Sequence, residues 1–229
     1  MVTNISQGKR MNNSYCITGA SSNVAKSVIS NLIKSESELH LYSTKKIDAE
    51  IQNKKMHYNQ VKNYNNLKFP NTANKLLVCN GYFSLGNFDF TSSNEIEKII
   101  SANLTSVIQI VKFFISDTDK NLRRDIFILG SSAAYDLGSE ISIYAACKMA
   151  LRGFITSLNK EYAKSNTRFT LISFGTVNNE MGLKVPNQDP KTLLQSESLA
   201  TEITQIIESN ENFYQPEVLI RRRFMQEHY

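Results

Sequence analysis

This 229-residue chain is poor in cysteine and lacks both long apolar runs and an export signal. Its three cysteines, Cys16, Cys79 and Cys147, are odd in number and far apart, which argues against a disulfide framework or a cysteine metal cluster. No stretch reaches about eighteen uninterrupted apolar residues, and residues 1–13 are polar, without the apolar core of a signal peptide. We therefore expect a cytoplasmic protein that does not engage a membrane, with residues 1–13 as a flexible leader.

A concentrated basic surface is also missing, although the net charge is +5 and the pI is near 9.0. The basic residues are dispersed, and the run Arg221-Arg222-Arg223 has no recognition motif around it, so we expect no nucleic-acid partner. That run fits a solvated tail, a contact between subunits or a site for an anionic group. The histidines, His40, His57 and His228, have no partner at metal or triad spacing, and we expect no metal site.

What the chain does contain is an alternation of strand and helix patterns over residues 14–229, which predicts one α/β domain with a doubly wound parallel sheet of about seven strands and helices on both faces. The predicted strands are Ser14–Thr18, Leu39–Ser43, Lys55–Tyr58, Lys75–Cys79, Ile126–Leu129, Phe169–Ser173 and Glu217–Ile220. The predicted helices are Asn23–Lys34, Asn94–Ile115, Ile143–Ala163 and Glu197–Glu208. The stretch from Gln60 to Asn74 is rich in asparagine and carries Pro70, so any helix there should be short or irregular.

The first strand and helix are joined by a turn typical of phosphate binding. An apolar run ends in Thr18-Gly19, and small residues then lead into a helical pattern that includes Val24, Val28 and Leu32. The start of a helix offers unpaired N–H donors and a partial positive charge. This turn is therefore a candidate anion site.

A second motif of chemical interest is Tyr144 with Lys148, four residues apart and hence on one face of a helix. A phenol is a poor acid at neutral pH, and a nearby ammonium favours its ionised form. We expect Lys148 to lower the pKa of Tyr144 and to make it a usable acid. Ser131 stands thirteen positions before the tyrosine, and Ser132 beside it is the alternative.

In their order along the chain these elements resemble the short-chain dehydrogenase/reductase family, from about Ser14 to Met181. Cys79-Asn80-Gly81 resembles the family's Asn-Ala-Gly segment, and Asn103 fits its catalytic asparagine. The resemblance implies a Rossmann-like fold and a hydride transfer between a nicotinamide cofactor and a carbonyl or alcohol. It makes Tyr144 the proton donor or base, Ser131 a partner of the substrate oxygen, Lys148 a ligand of the nicotinamide ribose and Asn103 the holder of a linking water.

The resemblance also implies which residues would bind the cofactor. They are Thr18, Gly19, Ser21, Ser22, Asn23 and Val24 in the turn; Ser43, Thr44 and Lys45 after the second strand; Asn59 near the adenine; Asn80 and Gly81 at a ribose; Gly175, Val177 and Asn179 over the nicotinamide; and Tyr144 and Lys148. Asn23 and Ala25 replace glycines that the family usually has, which should weaken binding without abolishing the turn. Because no acid precedes Asp48 after the second strand, we expect NADP(H) rather than NAD.

Partners and substrate are less sharply predicted. The apolar faces of the second and third predicted helices, where family members associate, favour a homodimer or homotetramer. The polar segment from Gly182 to Ser196 should line the substrate site, which favours a polar ketone such as a 3-oxoacyl thioester or a keto sugar. A nucleotide-binding regulator or scaffold of the same fold, without catalysis, is the alternative.

Overall fold

A computed structural model describes residues 13–35, 37–47, 55–209 and 213–223. Of the expected leader, 1–13, all but Asn13 lies outside these ranges. The described residues contain a seven-stranded parallel sheet in the order β3-β2-β1-β4-β5-β6-β7. Its strands are β1 Ser14–Thr18, β2 Glu38–Ser43, β3 Met56–Gln60, β4 Lys75–Val78, β5 Arg124–Leu129, β6 Thr167–Phe174 and β7 Glu217–Ile220. The predicted doubly wound α/β fold is confirmed.

Helices cover both faces of this sheet. They are α1 Asn23–Leu32, α2 Ser93–Ile100, α3 Ser106–Asp117, α4 Ser142–Glu161 and α5 Ser196–Ile207. The apolar residues of α1 and α5 form one buried cluster with β1 and β2, whereas those of α3 and α4 form a second cluster on the opposite face. Because both faces are covered, the central strands are buried almost throughout, as parallel strands require.

The predicted helix Asn94–Ile115 is interrupted. A π-helical turn, Ser101–Thr105, separates α2 from α3, and Asn103 lies at its centre with no exposed surface. Side chains that bond the backbone within a helix disturb its ladder, and Asn103 does so by donating to the Ile99 carbonyl at 2.9 Å. The interruption places the Asn103 amide inside the protein, beside the carboxyl ends of the central strands.

The continuous helical segment Ser93–Asp117 is 25 residues long and apolar enough to cross a membrane by length and composition alone. The core helix of a globular domain passes the same test. Here Val107, Ile110 and Val111 are buried in the cluster that packs against the sheet. This helix therefore occupies the position of a core helix.

Between β3 and β4 the backbone, residues 61–74, forms neither helix nor strand, as its composition predicted. Leu67 and Phe69 are nevertheless buried, and the Phe69 ring meets Tyr42 and Phe114 edge-on at centroid distances of 5.0 and 5.5 Å. These apolar anchors fix the connection against the sheet. They also fix Tyr64, which lies between β3 and Leu67.

Candidate functional site

The candidate site lies where β1 and β4 are neighbours, because the strand order reverses there. In open α/β sheets ligands bind in the crevice outside the carboxyl ends of the strands at such a reversal. The turn after β1, the loops after β4 and β5, and the start of α4 all meet at this edge. Most of the site residues predicted from the sequence lie on these four segments.

Gly19 makes the first turn possible. Its φ is +66°, and a Cβ at this position would lie 2.8 Å from the carbonyl carbon and oxygen of Cys79. An L side chain is strained in this conformation and has no room here. Ser22 then caps α1 by accepting a hydrogen bond from the Ala25 backbone N–H at 3.3 Å, and the helix begins at Asn23. The altered glycine motif thus still builds a tight turn into a helix start.

Asn80 joins this turn to the loop after β4. The Thr18 hydroxyl donates to the Asn80 side-chain oxygen at 2.6 Å. The next residue, Gly81, lies beside the proposed reactive groups, since a Cβ on it would be 3.4 Å from Asn103 Oδ1 and 3.9 Å from Lys148 Nζ. The structure therefore brings Asn80 to the turn after β1 and Gly81 to the side of Asn103 and Lys148.

Asn103 is held by the same loop. Its side-chain nitrogen donates to the Tyr82 carbonyl at 2.6 Å, and its side-chain oxygen accepts from the Tyr82 N–H at 3.2 Å. With the bond to Ile99, the amide has three partners and a fixed orientation. This arrangement positions the loop after β4 against the π-helical turn.

Tyr144 and Ser131 meet as predicted. The Ser131 side chain hydrogen-bonds Tyr144, and it also accepts from the Ala133 N–H at 3.2 Å, which fixes its direction. The Tyr144 ring stands edge-on to Phe83 with centroids 5.1 Å apart. Burial raises the pKa of Tyr144, and the Ser131 hydrogen bond opposes that rise. The adjacent Ser132 is not the partner.

Lys148 lies one turn further along α4 and is 4% exposed. Its Nζ lies 5.5 Å from the centre of the Tyr144 ring and donates to the Leu129 carbonyl at 3.5 Å. Burial lowers the pKa of Lys148 to about 8, and Cys147 opposes this shift. The expectation that Lys148 lowers the pKa of Tyr144 is wrong for this structure, because loss of hydration dominates both groups and moves both toward their neutral forms.

A cleft of about 370 Å³ opens beside Tyr144. Its walls come from the loop after β4 and from the segment that leads into α4; they include Ser84–Asn87, Phe90–Ser92, Glu95, Ile99 and Glu140–Ile143. The sequence analysis placed the substrate site at Gly182–Ser196 instead, and that segment does not line this cleft. The cleft walls were missed because their composition is ordinary and their proximity depends on the fold.

The residues after β2 divide into two kinds. Ser43 is 1% exposed, and its hydroxyl is engaged, since it donates to the Ser21 hydroxyl at 2.9 Å and accepts from the Lys45 N–H at 3.1 Å. Ser43 and Ser21 thus tie β2 to the turn after β1. The side chains of Thr44 and Lys45 are exposed at the same edge and could meet a phosphate.

Tyr64 was not predicted from the sequence. Its phenol oxygen is within hydrogen-bonding reach of the backbone of Gly19, the side chain of Asn80 and the backbone of Thr44. Burial raises the pKa of Tyr64, and these three contacts oppose the rise. Tyr64 therefore lies near three of the segments that the family resemblance assigned to the cofactor: the turn after β1, the residues after β2 and the loop after β4. Nothing in the sequence signals it, because Tyr64 lies in an irregular connection.

The remaining predicted cofactor residues make contacts within the protein. Asn59 lies in β3 and donates to the His57 carbonyl at 3.4 Å. Asn179 accepts from the Gly182 N–H at 2.9 Å and so shapes its own loop, while Val177 is buried in the core. The Gly175 N–H donates to the Ile220 carbonyl at 3.0 Å. These residues lie around the carboxyl edge of the sheet, where their contacts are with other parts of the protein.

The basic run after β7 is engaged by nearby side chains. Arg221 forms an ion pair with Asp136, in which its Nη2 lies 3.0 Å from Oδ1, and Arg222 donates to the Gln188 side-chain oxygen at 2.6 Å. A side chain held in this way is less available to an anionic ligand. This favours a structural role for the run.

Comparisons with known proteins agree with this geometry. The family model described as short chain dehydrogenase matches residues 13–190. Carbonyl reductase family member 4 of Xenopus tropicalis is 33% identical over 93 residues, which are 41% of this chain and 39% of that protein. The 3-oxoacyl-[acyl-carrier-protein] reductase MabA of Mycobacterium tuberculosis is 28% identical over 109 residues, 47% of this chain and 44% of that protein. The matches thus span less than half the length of these curated relatives.

Solved structures show the same fold over most of the chain. An alcohol dehydrogenase from Thermococcus sibiricus, complexed with 5-hydroxy-NADP, has a TM-score of 0.81 at 16% identity, and covers 95% of this chain and 99% of its own. A 3-ketoacyl-(acyl-carrier-protein) reductase from Brucella melitensis, complexed with NADH, has a TM-score of 0.80 at 14% identity, with coverage of 91% and 96%. At such identities the likeness concerns the fold alone.

Proposed function

Because the chain belongs to the short-chain dehydrogenase/reductase family of oxidoreductases, we propose that it reduces a polar ketone with NADP(H), with Tyr144 as the proton donor. The observation that carries this proposal is the Tyr144 phenol, bonded to Ser131 at the wall of a cleft and backed by buried Lys148. An acid that lines a cavity, with a second hydroxyl and a cation close behind it, forms the set that carbonyl reduction requires.

The residues divide the work as follows. A bound nicotinamide cofactor supplies the hydride to the carbonyl carbon. Tyr144 gives its proton to the carbonyl oxygen, and Ser131 hydrogen-bonds the same oxygen and holds it in line. Because burial raises the pKa of Tyr144, the phenol keeps its proton at neutral pH and is ready to donate it.

Lys148 and Asn103 support this acid. Lys148 would bind ribose hydroxyls of the cofactor, and with a pKa near 8 it can also return a proton to Tyr144 after turnover. Asn103 holds the loop that carries Gly81, which lies beside Lys148 Nζ. The Asn103 side chain therefore positions the loop beside Lys148. This role does not depend on a linking water.

The turn after β1 fits a dinucleotide. At Gly19 the turn packs against the Cys79 backbone, where a Cβ would have no room, and the start of α1 offers N–H groups to a phosphate. The preference for NADP(H) rests on exposed Thr44 and Lys45, which could donate to a 2′-phosphate, and on the absence of an acid between Ser43 and Asp48. The two solved structures hold 5-hydroxy-NADP and NADH respectively, so they do not decide this point.

The substrate class follows from the cleft walls. Ser84, Ser92 and Glu95 offer polar groups, and Glu95 is held by a hydrogen bond of 2.8 Å from the Tyr82 hydroxyl. Hydrogen bonds from Ser84 and Tyr82 lower the pKa of Glu95, so it is a carboxylate at neutral pH. A carboxylate accepts from substrate hydroxyls and repels substrate carboxylates. This favours a hydroxylated ketone of the keto-sugar type over a keto acid, and leaves 3-oxoacyl thioesters as the second class to test.

The test is a binding and turnover experiment on the purified full chain. NADPH and NADH are titrated by nicotinamide fluorescence, and a panel of keto sugars, 3-oxoacyl thioesters and keto acids is then followed by loss of reduced-nicotinamide absorbance. We expect Tyr144→Phe to keep NADPH binding and to lower kcat by about 10²- to 10⁴-fold. The control Tyr162→Phe, on the far end of α4, should retain full activity. Turnover that is equal in Tyr144→Phe and the parent protein would contradict the role of Tyr144.

A nucleotide-binding module without catalysis is the second candidate, and the altered turn after β1, in which Asn23 and Ala25 replace glycines that the family usually has, is the observation that favours it. Binding of NADPH without turnover of any ketone in the panel would select this candidate.

Assembly and location complete the proposal. We expect a homodimer or homotetramer, since Leu104 in the π-helical turn before α3 and Phe154 and Leu158 on α4 are only partly buried. Light scattering on the purified protein measures the mass, and a monomer mass would reject an oligomer. We also propose a cytoplasmic location, on the basis of scattered cysteines that the structure leaves unpaired in the described residues.

A further inference from the structure

Three potential metal ligands meet at the opposite end of the sheet from the site above. Glu38 and His40 are two residues apart on β2, so their side chains lie on the same face of the sheet. His57 on the edge strand β3 is the register partner of His40. The sequence analysis found no partner for either histidine, because this pairing depends on how β2 and β3 align.

The ligand atoms of these three residues converge. Glu38 Oε1 lies 2.9 Å from His57 Nε2 and 3.5 Å from His40 Nε2, and one ligand atom from each residue lies within 4.8 Å of the others. The two imidazole rings stack with centroids 4.5 Å apart and planes at 11°. The other oxygen of Glu38 accepts from the Ser14 hydroxyl at 3.4 Å, which orients the carboxylate toward the histidines.

His40 supplies the independent sign of a ligand. It is 9% exposed, and its Nε2 is closed to solvent and makes no hydrogen bond within the described residues. The nearest acceptor, Glu38 Oε1, lies 3.5 Å away and is engaged by His57. A buried polar atom without a hydrogen bond is costly, and a bound ion or water is one explanation for it.

We propose that Glu38, His40 and His57 bind a first-row transition metal ion, for which Zn²⁺ is the probe. Two imidazole nitrogens and one carboxylate oxygen are ligands that zinc takes at about 2.0 to 2.2 Å, with a water in the fourth position. The three ligand atoms must rearrange around the ion, and the exposed side chains of Glu38 and His57, 43% and 51% accessible, can move to do so. Calcium and magnesium prefer oxygen ligands and should not bind.

The ion would fasten the edge of the sheet. β3 has one neighbour, β2, and all five of its residues are exposed or only half-buried, so few apolar contacts hold it. A metal that joins His57 to two residues of β2 would add a cross-strand link where packing is weakest. The site stands at the beginning of β2, whereas the predicted cofactor contacts follow its end at Ser43, about 17 Å away along the strand. Metal binding and catalysis can therefore be tested separately.

The experiment uses the full chain freed of metal by a chelator and then dialysed. Zinc is titrated by calorimetry, and thermal unfolding is followed with and without zinc. We expect one ion per chain and a midpoint of unfolding that rises with zinc concentration, with no response to magnesium or calcium. His57→Gln, at an exposed position that leaves the fold intact, should weaken binding at least tenfold and remove the thermal shift. The third histidine gives the matched control His228→Gln, which should bind as the parent does.

The ligand set is checked with Co²⁺, whose absorption differs between nitrogen and oxygen ligands and thiolates. Cys16 on β1 is the register partner of His40, so a thiolate is the competing ligand. A weak visible spectrum without a thiolate charge-transfer band supports the assigned residues. A strong thiolate band, zinc affinity unchanged in His57→Gln, or no zinc binding to the parent chain would each overturn the proposal.

Discussion

Replacing Lys148 by methionine should make the protein more stable and inactive. Lys148 is 4% exposed, and burial lowers its pKa from 10.5 to about 8. A difference of about 2.5 units corresponds to roughly 3 kcal/mol by which the charged form destabilises the folded state at neutral pH. Methionine has a similar length, is unbranched and carries no charge. Methionine cannot donate the hydrogen bond that Lys148 makes to the Leu129 carbonyl. This loss costs about 1 kcal/mol and leaves a net gain of about 2 kcal/mol in the free energy of unfolding.

The sign of the pH dependence follows from the same shift. Between the folded pKa near 8 and the unfolded value near 10.5, the unfolded chain binds more protons at Lys148 than the folded one does. The free energy of unfolding of the parent protein therefore rises with pH through this window, as far as Lys148 is concerned. The advantage of Lys148→Met is full below pH 8 and disappears as pH approaches 10.5.

Urea unfolding of the parent and Lys148→Met at about pH 7 and about pH 9.5 measures this difference. Lys160→Met, at an exposed position of the same helix, is the control and should change the free energy of unfolding by less than about 0.5 kcal/mol. A variant that is less stable than the parent at pH 7, or an advantage that does not shrink at high pH, would refute the argument that burial of the ammonium costs stability. Ketone reduction by Lys148→Met should fall below detection at either pH.

Three further predictions concern the cofactor and the proton donor. Gly19→Ala should weaken NADPH binding at least tenfold, because its Cβ would lie 2.8 Å from the Cys79 carbonyl; an unchanged dissociation constant in a fluorescence titration would contradict this. Tyr64→Phe should bind NADPH about 2- to 10-fold more tightly, since its hydroxyl no longer competes for Gly19, Thr44 and Asn80; weaker binding would instead make that hydroxyl a cofactor contact. The rate of alcohol oxidation should keep rising above pH 8, because the raised pKa of Tyr144 delays formation of the phenolate, and a plateau at pH 8 in a pH–rate profile would assign control to Lys148 instead.

Local pattern was sufficient for most of the fold. The strands Ser14–Thr18 and Glu217–Ile220 have the predicted bounds, because each is a short apolar run bordered by turn residues. The helix through Asn103 was predicted as continuous, since apolar periodicity passes through the π-helical turn without a change. The Asn103 side chain bonds the Ile99 carbonyl within the helix and also the backbone of Tyr82, 21 positions away, and no local rule detects that second partner.

The candidate site shows the same division. Spacing along one helix placed Tyr144 and Lys148 together, and the family resemblance added Ser131, Asn80 and Gly81, all of which the structure brings to one edge. The cleft walls at Ser84–Asn87 and Glu140–Ile143 could not be predicted, because they approach each other only when β4 and β5 pair. Tyr64 and the Glu38, His40 and His57 cluster were missed for the same reason.

The pKa of Tyr144 shows what spacing alone leaves out. An ammonium one turn away favours the phenolate, and that argument considers one pair of charges. Folding also removes water from both groups, and this loss of hydration is the largest cause of both shifts: the pKa of Tyr144 rises while that of Lys148 falls to about 8. The protein thus holds the phenol in the form that donates a proton. Alcohol oxidation needs the phenolate instead, and desolvation makes the phenolate costly to form. Under the proposed function, the side chains themselves favour carbonyl reduction over alcohol oxidation at neutral pH.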